Sequence, residues 1–207
     1  MAKPKTAYVC TECGAHSVKW AGQCPDCSAW NTLAQTRITP VKGTGAPAST
    51  PARVDSLPED LSQQHQTGFA EFDRVLGGGL VPGAVVLLGG DPGVGKSTLL
   101  QQVSAQLSAD MTVLYATGEE SLRQVGQRSQ RLGLAAADLQ LLADTSLDNV
   151  LTQAASTKAA VLVIDSVQTM ASADLPSAPG SVVQLRECVG RVVQFAKQHE
   201  VVVFIIG

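Results

Sequence analysis

From residue 84 onward the apolar positions cluster into short runs separated by longer mixed stretches. The runs are Ala84–Leu88, Thr112–Ala116, Leu139–Leu142, Val161–Ile164 and Val201–Ile206. Continuous apolar runs of this length predict parallel strands buried on both faces, because a half-exposed strand would alternate. Between the last two runs, Val182, Leu185, Val189, Val192 and Ala196 recur at helical spacing and predict an amphipathic helix. Cys188 falls inside that helix and reads as a small core residue. Ser97–Leu107 reads as another helix. Strands alternating with helices predict an α/β fold with an open parallel sheet flanked by helices.

The texture before residue 63 is different. Residues 39–62, TPVKGTGAPASTPARVDSLPEDLS, are rich in Pro, Ser, Thr and Gly without apolar periodicity, and read as a flexible tether. The expected organisation is a small module at 1–38, the tether at 39–62 and an α/β core at 63–207, which a short leader, TGFAEFDRVLGGGLVPG, opens. No internal repeat is visible.

The small module is defined by cysteine. Four of the five cysteines form Cys10-x-x-Cys13 and Cys24-x-x-Cys27, with ten residues between the pairs. Two such knuckles suit a closed tetrahedral zinc site of four thiolates. Disulfides or a redox pair are the weaker alternatives, since the N-terminus MAKPKTAYVC has no apolar signal core and no βαβ pattern surrounds the cysteines. With the shell complete, His16 reads as an exposed loop residue. Tyr8, Trp20 and Trp30 are expected to add large side chains to the core of a small module, with stacking on nucleobases as the other use. Lys3, Lys5, Lys19 and Arg37 against Glu12 and Asp26 make the module mildly basic.

The chain carries a net charge of −3, which excludes coating nucleic acid by bulk charge. No apolar stretch approaches the roughly 20 residues that span a bilayer. The expected setting is cytoplasmic, with no membrane partner.

The densest chemistry lies between Leu88 and Leu100, LGGDPGVGKSTLL, where Gly90–Ser97 match G-x-x-x-x-G-K-[ST]. An apolar strand, a glycine-rich loop and a helix start form a concave array of backbone N–H groups suited to polyphosphate. Gly90, Gly93 and Gly95 let the backbone approach, Lys96 reaches the β/γ oxygens, and Ser97 offers its hydroxyl to Mg²⁺. The nucleotide-contacting loop is thus Gly90, Asp91, Pro92, Gly93, Val94, Gly95, Lys96, Ser97 and Thr98, with the Asp91 side chain given no role of its own.

Two further acids belong with it. Val161–Asp165 is an apolar strand delivering a carboxylate at its C-terminal end, where ligands collect in an open α/β sheet. There Asp165 can hold Mg²⁺ opposite Ser97. After the second run comes Tyr115-Ala-Thr-Gly-Glu-Glu-Ser. Hydrolysis of a γ-phosphate needs a group that orients water and accepts its proton, and Glu119 is the first candidate with Glu120 the second. The alternative places one or both in the first turn of the next helix. Arg123, Arg128 and Arg131 on that helix read as a solvated face, with a DNA or subunit contact as the other use.

Taken together these residues resemble one family, the bacterial RadA/Sms DNA-repair ATPases. The resemblance is carried by KWAGQCPDCSAWNT (19–32), FDRVLGGGLVPG (72–83), GGDPGVGKSTLL, YATGEES, VLVIDSVQTM and APGSVVQLRE (178–187). It implies a RecA-like P-loop ATPase core preceded by a zinc ribbon, using ATP, Mg²⁺ and Zn²⁺. It further implies a homo-oligomeric ring that binds single-stranded or branched DNA, drives branch migration of recombination intermediates, and works with recombinase or helicase partners. On the matching positions Lys96 and Ser97 belong to the nucleotide loop, Asp165 is the metal-side aspartate, Glu119 the catalytic glutamate, and the four cysteines the zinc ligands.

The family continues into a Lys-Asn-Arg-Phe-Gly motif and a Lon-protease-like domain. Neither lies in this sequence, so the chain reads as an N-terminal portion. Its last run, Val201–Ile206, is expected to lie centrally between the phosphate-loop strand and the Asp165 strand. A nucleotide-gated binding module that does not hydrolyse ATP is the alternative class. A clock-type regulator is a third, which the four-cysteine module argues against.

Overall fold

The computed structural model describes residues 5–38, 51, 53, 64–134, 138–175 and 177–207. The chain divides into two compact units, Met1–Gln63 and Gln64–Gly207. The tether expected at 39–62 lies outside the described residues except at positions 51 and 53.

In the first unit β1 (Lys5–Cys10), β2 (His16–Ser17) and β3 (Leu33–Ile38) form an antiparallel sheet in the order β2-β1-β3. Its buried centre is Cys10, Cys24 and Leu33, with Tyr8, Cys13 and Ala15 packed against it. Trp20 and Trp30 depart from expectation: they are 58% and 69% exposed and add little to that core. Both rings lie instead just under 4 Å from where a side chain on Gly22 would begin. The physical reason is size, since a centre built around four sulfurs has no room for two indoles. His16 is exposed as expected, but it belongs to β2 rather than to a loop.

The second unit contains α1 (Ala70–Val75), β4 (Val85–Leu88), α2 (Lys96–Leu107), β5 (Val113–Thr117) and α3 (Leu122–Arg131). It continues with β6 (Gln140–Ala143), α4 (Leu147–Ser156), β7 (Val161–Asp165), a 3-10 turn (Val167–Thr169), α5 (Val182–His199) and β8 (Val202–Ile206). The five strands are all parallel in the order β4-β8-β7-β5-β6. The last run therefore does lie between the phosphate-loop strand and the Asp165 strand.

Alternation along the central strands sends side chains to two separate cores. Leu114, Ala116, Leu162, Ile164, Val203 and Ile205 pack with α4 and α5, including Val150, Cys188 and Val192. Val113, Tyr115, Val161, Val163, Val202 and Phe204 pack on the opposite face with Leu100, Val103 and Leu107 of α2. Phe72 of α1 joins that second core, its ring 5.8 Å from that of Phe204. Burial on both faces holds for β5, β7 and β8, whereas β4 and β6 are edge strands and only partly covered. Leu87 on β4 is accordingly exposed.

Serine side chains cap α3, α4 and α5, where Ser121, Ser146 and Ser181 accept from the backbone N–H groups of Gln124, Asn149 and Gln184. Each satisfies a donor that the first helical turn leaves unpaired. Among the described residues no helix is long and apolar enough to cross a membrane.

Candidate functional site

The phosphate loop occupies the connection from β4 to α2. Gly95 is the N-cap of α2 with φ of 100°, and Gly93 has φ of 86°. A side chain is strained in that left-handed region, which selects glycine. At both positions an added Cβ meets nothing within 4 Å, so the backbone faces open space that a ligand can fill. The first N–H groups of α2 point outward from the helix start with no side-chain cap. Lys96 folds back over the loop, its Nζ donating to the carbonyls of Gly90 (2.6 Å) and Asp91 (3.1 Å).

A cleft of about 520 Å³ opens above this loop. Gly90, Pro92, Gly93, Gly95, Lys96, Ser97 and Thr98 border it from one side, and Glu119, Arg128, Asp165 and Ser166 from the other. Asp91 and Val94 are not among the residues bordering it. Three parallel strands thus deliver the expected groups to one place: the loop after β4, Glu119 after β5, and Asp165 at the end of β7.

Asp165 is buried, and its Oδ2 accepts a hydrogen bond from the Tyr115 hydroxyl on β5 at 2.5 Å. Burial, reinforced by the Asp165 charge, pushes the Tyr115 phenol well above its ordinary range, so it stays a donor. Ser97 and Asp165 bring a hydroxyl and a carboxylate to the same cleft, a hard-oxygen donor set that fits Mg²⁺.

The two adjacent glutamates are treated differently. Ser121 is the N-cap of α3 and closes a capping box with Gln124, so Glu119 and Glu120 both precede the helix and neither sits in its first turn. Glu119 Oε1 accepts from the Ser166 hydroxyl at 2.5 Å. Glu120 is not among the bordering residues; its Oε1 accepts from Arg128 Nη1 at 3.0 Å, and its Oε2 lies 2.9 Å from Nη2 in an ion pair outside hydrogen-bond geometry. Gly118, just before them, is pressed by the 3-10 turn: a Cβ there would lie 2.1 Å from Thr169 Oγ1.

Arg128 overturns the expectation of a solvated face. Its side chain is 11% exposed, and its Nε also donates to Gln101 Oε1 on α2, while Arg123 and Arg131 are exposed. Helical phase alone does not show that a neighbouring helix supplies a buried acceptor. The signal available was Gln101 itself, a polar residue within the apolar face of α2, since a buried amide has to find partners. Sequence reasoning also missed Tyr115 and Ser166 as site residues, and nothing in the local pattern marks them.

In the first unit the two knuckles share one backbone design. Cys10 N–H donates to the Ala15 carbonyl and Cys24 N–H to that of Ala29, each at 2.9 Å. Gly14 and Ser28, four residues after those cysteines, each return a hydrogen bond to the cysteine carbonyl and have positive φ. The turns bring Cys10, Cys13, Cys24 and Cys27 together with all four sulfurs within 4.8 Å of one another. Cys10 and Cys27 Sγ are 3.6 Å apart, and Cys13 and Cys24 Sγ 3.7 Å. A tetrahedron with zinc–sulfur bonds of about 2.3 Å has edges of about 3.8 Å, so the set fits zinc. All four are free thiols, not disulfides. Burial opposes the Cys10 thiolate, but hydrogen bonds with the Thr32 hydroxyl and the amides of Cys13 and Glu12 bring it down to about 6. At Cys27 the Ala29 amide favours the thiolate, but desolvation and the three neighbouring sulfurs push it up to about 12. Crowded thiolates of this kind call for a cation.

Two family models match the chain: one described as a rubredoxin metal binding domain over residues 8–35, and one described as an AAA domain over residues 49–207. The whole chain is also similar to proteins named DNA repair protein RadA. It is 46% identical to that of Haemophilus influenzae, 46% to that of Pseudomonas aeruginosa and 45% to that of Escherichia coli. All of this chain is covered in each case, against 47%, 47% and 48% of the relative, so it spans about half the length of the proteins it matches. The chain belongs to the AAA-domain family, and within it is similar from end to end to the RadA repair proteins, with a four-cysteine ribbon ahead of a RecA-like core.

Proposed function

We propose that this chain is the zinc-bearing, nucleotide-hydrolysing portion of a cytoplasmic DNA-repair ATPase. The observation that carries the reading is the convergence of Lys96, Ser97, Glu119 and Asp165 on one cleft at the C-terminal ends of parallel strands. The substrate is ATP, its phosphates lying on the N–H groups of Gly93–Thr98. Lys96 exchanges its loop carbonyls for β/γ oxygens and offsets the charge that builds there in the transition state. Glu119 orients the attacking water and takes its proton, with Ser166 fixing the carboxylate. Ser97 and Asp165 are the groups to hold Mg²⁺, and Tyr115 fixes the aspartate. A metal held there would supply positive charge against the phosphate oxygens.

The four cysteines hold structural zinc, since a closed thiolate shell leaves no position for chemistry. We assign residues 1–38 to this ribbon, 39–62 to a tether and 63–207 to the ATPase core. The finer role is taken from the similarity to RadA proteins. In that role the protein binds single-stranded or branched DNA as a homo-oligomeric ring, promotes branch migration of recombination intermediates, and works with recombinase or helicase partners. Lys96→Ala in the full-length protein tests the site. The expected result is loss of ATP turnover with the fold intact, and unchanged turnover overturns the assignment.

A further inference from the structure

Resting on the hydrolytic reading above, we infer that Arg128 is a positioning residue that separates the roles of the two adjacent glutamates. It clamps Glu120 out of the chemistry and so registers Glu119 against the phosphate-loop helix. Arg128 donates from two of its guanidinium nitrogens, Nη1 to Glu120 Oε1 at 3.0 Å and Nε to Gln101 Oε1, while Nη2 lies 2.9 Å from Glu120 Oε2 as an ion pair outside hydrogen-bond geometry. The pairing turns the Glu120 carboxylate toward Arg128, and Glu120 is not among the residues bordering the cleft, whereas Glu119 is.

Gln101 anchors the clamp. It is fully buried on α2, one turn beyond Ser97, and its Nε2 donates to the Val125 carbonyl (2.8 Å) and the Ser129 hydroxyl (2.5 Å) of α3. A side-chain path therefore runs from the phosphate-loop helix through Gln101 and Arg128 to Glu120, whose backbone neighbour is Glu119. The other side of Glu119 is fixed separately, by Ser166 on its carboxylate and by the close approach of Thr169 to Gly118. The clamp thus sets where the proton acceptor stands relative to the loop that holds the phosphates. Displacement of such a group by about 1 Å costs on the order of 10²-fold in rate.

The test is steady-state ATP hydrolysis and nucleotide binding by the full-length protein and its variants. Arg128→Gln is expected to lower kcat by roughly 10²-fold while KM and nucleotide affinity stay within about threefold. Glu120→Gln lowers kcat in the same direction. The double variant is no worse than Arg128→Gln alone, because both changes break one pair. Arg128→Lys restores little, since an ammonium cannot grip two acceptors in a fork. A wild-type kcat in folded Arg128→Gln, a loss confined to KM, or additive losses in the double variant overturns the inference. If Arg128→Gln fails to fold, Gln101→Leu decides: it unhooks the clamp from α2, and an unaltered kcat in that variant overturns the registering role. Turnover surviving Lys96→Ala sinks the hydrolytic reading itself. A dead Lys96→Ala beside an unaffected Arg128→Gln sinks only this inference.

Discussion

The four-cysteine ribbon and the cleft above the β4–α2 loop both gather polar groups in a fixed array, and they do it with opposite resources. The ribbon has a buried centre of Cys10, Cys24 and Leu33 and two short turns of identical backbone pattern. So small a centre leaves cohesion to the metal, and its indoles stay outside. The cleft holds no large apolar centre of its own either, but it sits at the edge of two cores that sandwich a five-stranded sheet. Its geometry is inherited from strand register: Thr117 pairs with Asp165, which places the loop carrying Glu119 beside the Asp165 carboxylate. One set of groups is gathered by short turns; the other is gathered by the register of a buried sheet.

That contrast can be broken first by removing zinc. Chelation is expected to unfold the ribbon, with a loss on the order of 10 kcal/mol of metal-linked folding energy. Trp20 and Trp30 fluorescence reports the change, while thermal-shift binding of ATP by the core persists. Loss of ATP binding on chelation would contradict the division of resources. Phe204→Ala strikes the other resource, since the ring is fully buried on β8 against Phe72. It should cost about 3–5 kcal/mol in core stability by denaturant unfolding and leave zinc content unchanged.

Glu119→Gln sharpens the comparison at the chemistry. Turnover should fall roughly 10²- to 10⁴-fold with nucleotide affinity retained, as expected for a proton acceptor that binding does not need. Ser121→Ala removes the cap of α3 and should cost about 1 kcal/mol in unfolding free energy. Smallest of all, Trp20→Ala and Trp30→Ala should each shift ribbon stability by no more than about 0.5 kcal/mol, because the rings are largely in solvent. A larger loss at either indole would return it to the ribbon's core.

How much of this was legible beforehand depended on the kind of signal. The apolar runs located all five parallel strands to within a residue at each end, although only β5, β7 and β8 are buried on both faces and the edge strand β6 carries an exposed polar residue, Gln140. The G-x-x-x-x-G-K-[ST] spacing and the paired C-x-x-C knuckles carry their geometry locally, in turns of a few residues. Contacts between distant elements left no such trace. Arg128 looks like its exposed neighbours Arg123 and Arg131 until α2 places Gln101 over it. Tyr115 looks like one more apolar strand residue until β7 brings Asp165 within 2.5 Å of its hydroxyl. The indoles erred the other way: aromatic residues near a small metal site suggested core, and the space was already filled by sulfur.

The most direct test of the central claim is a structure of the full-length protein with Mg²⁺ and a non-hydrolysable ATP analogue. The account predicts Lys96 Nζ on the β/γ oxygens in place of the Gly90 and Asp91 carbonyls, the metal on Ser97 and Asp165, and an in-line water on Glu119. Polyphosphate bound away from Gly93–Thr98, or that water held by Glu120 instead, would contradict it.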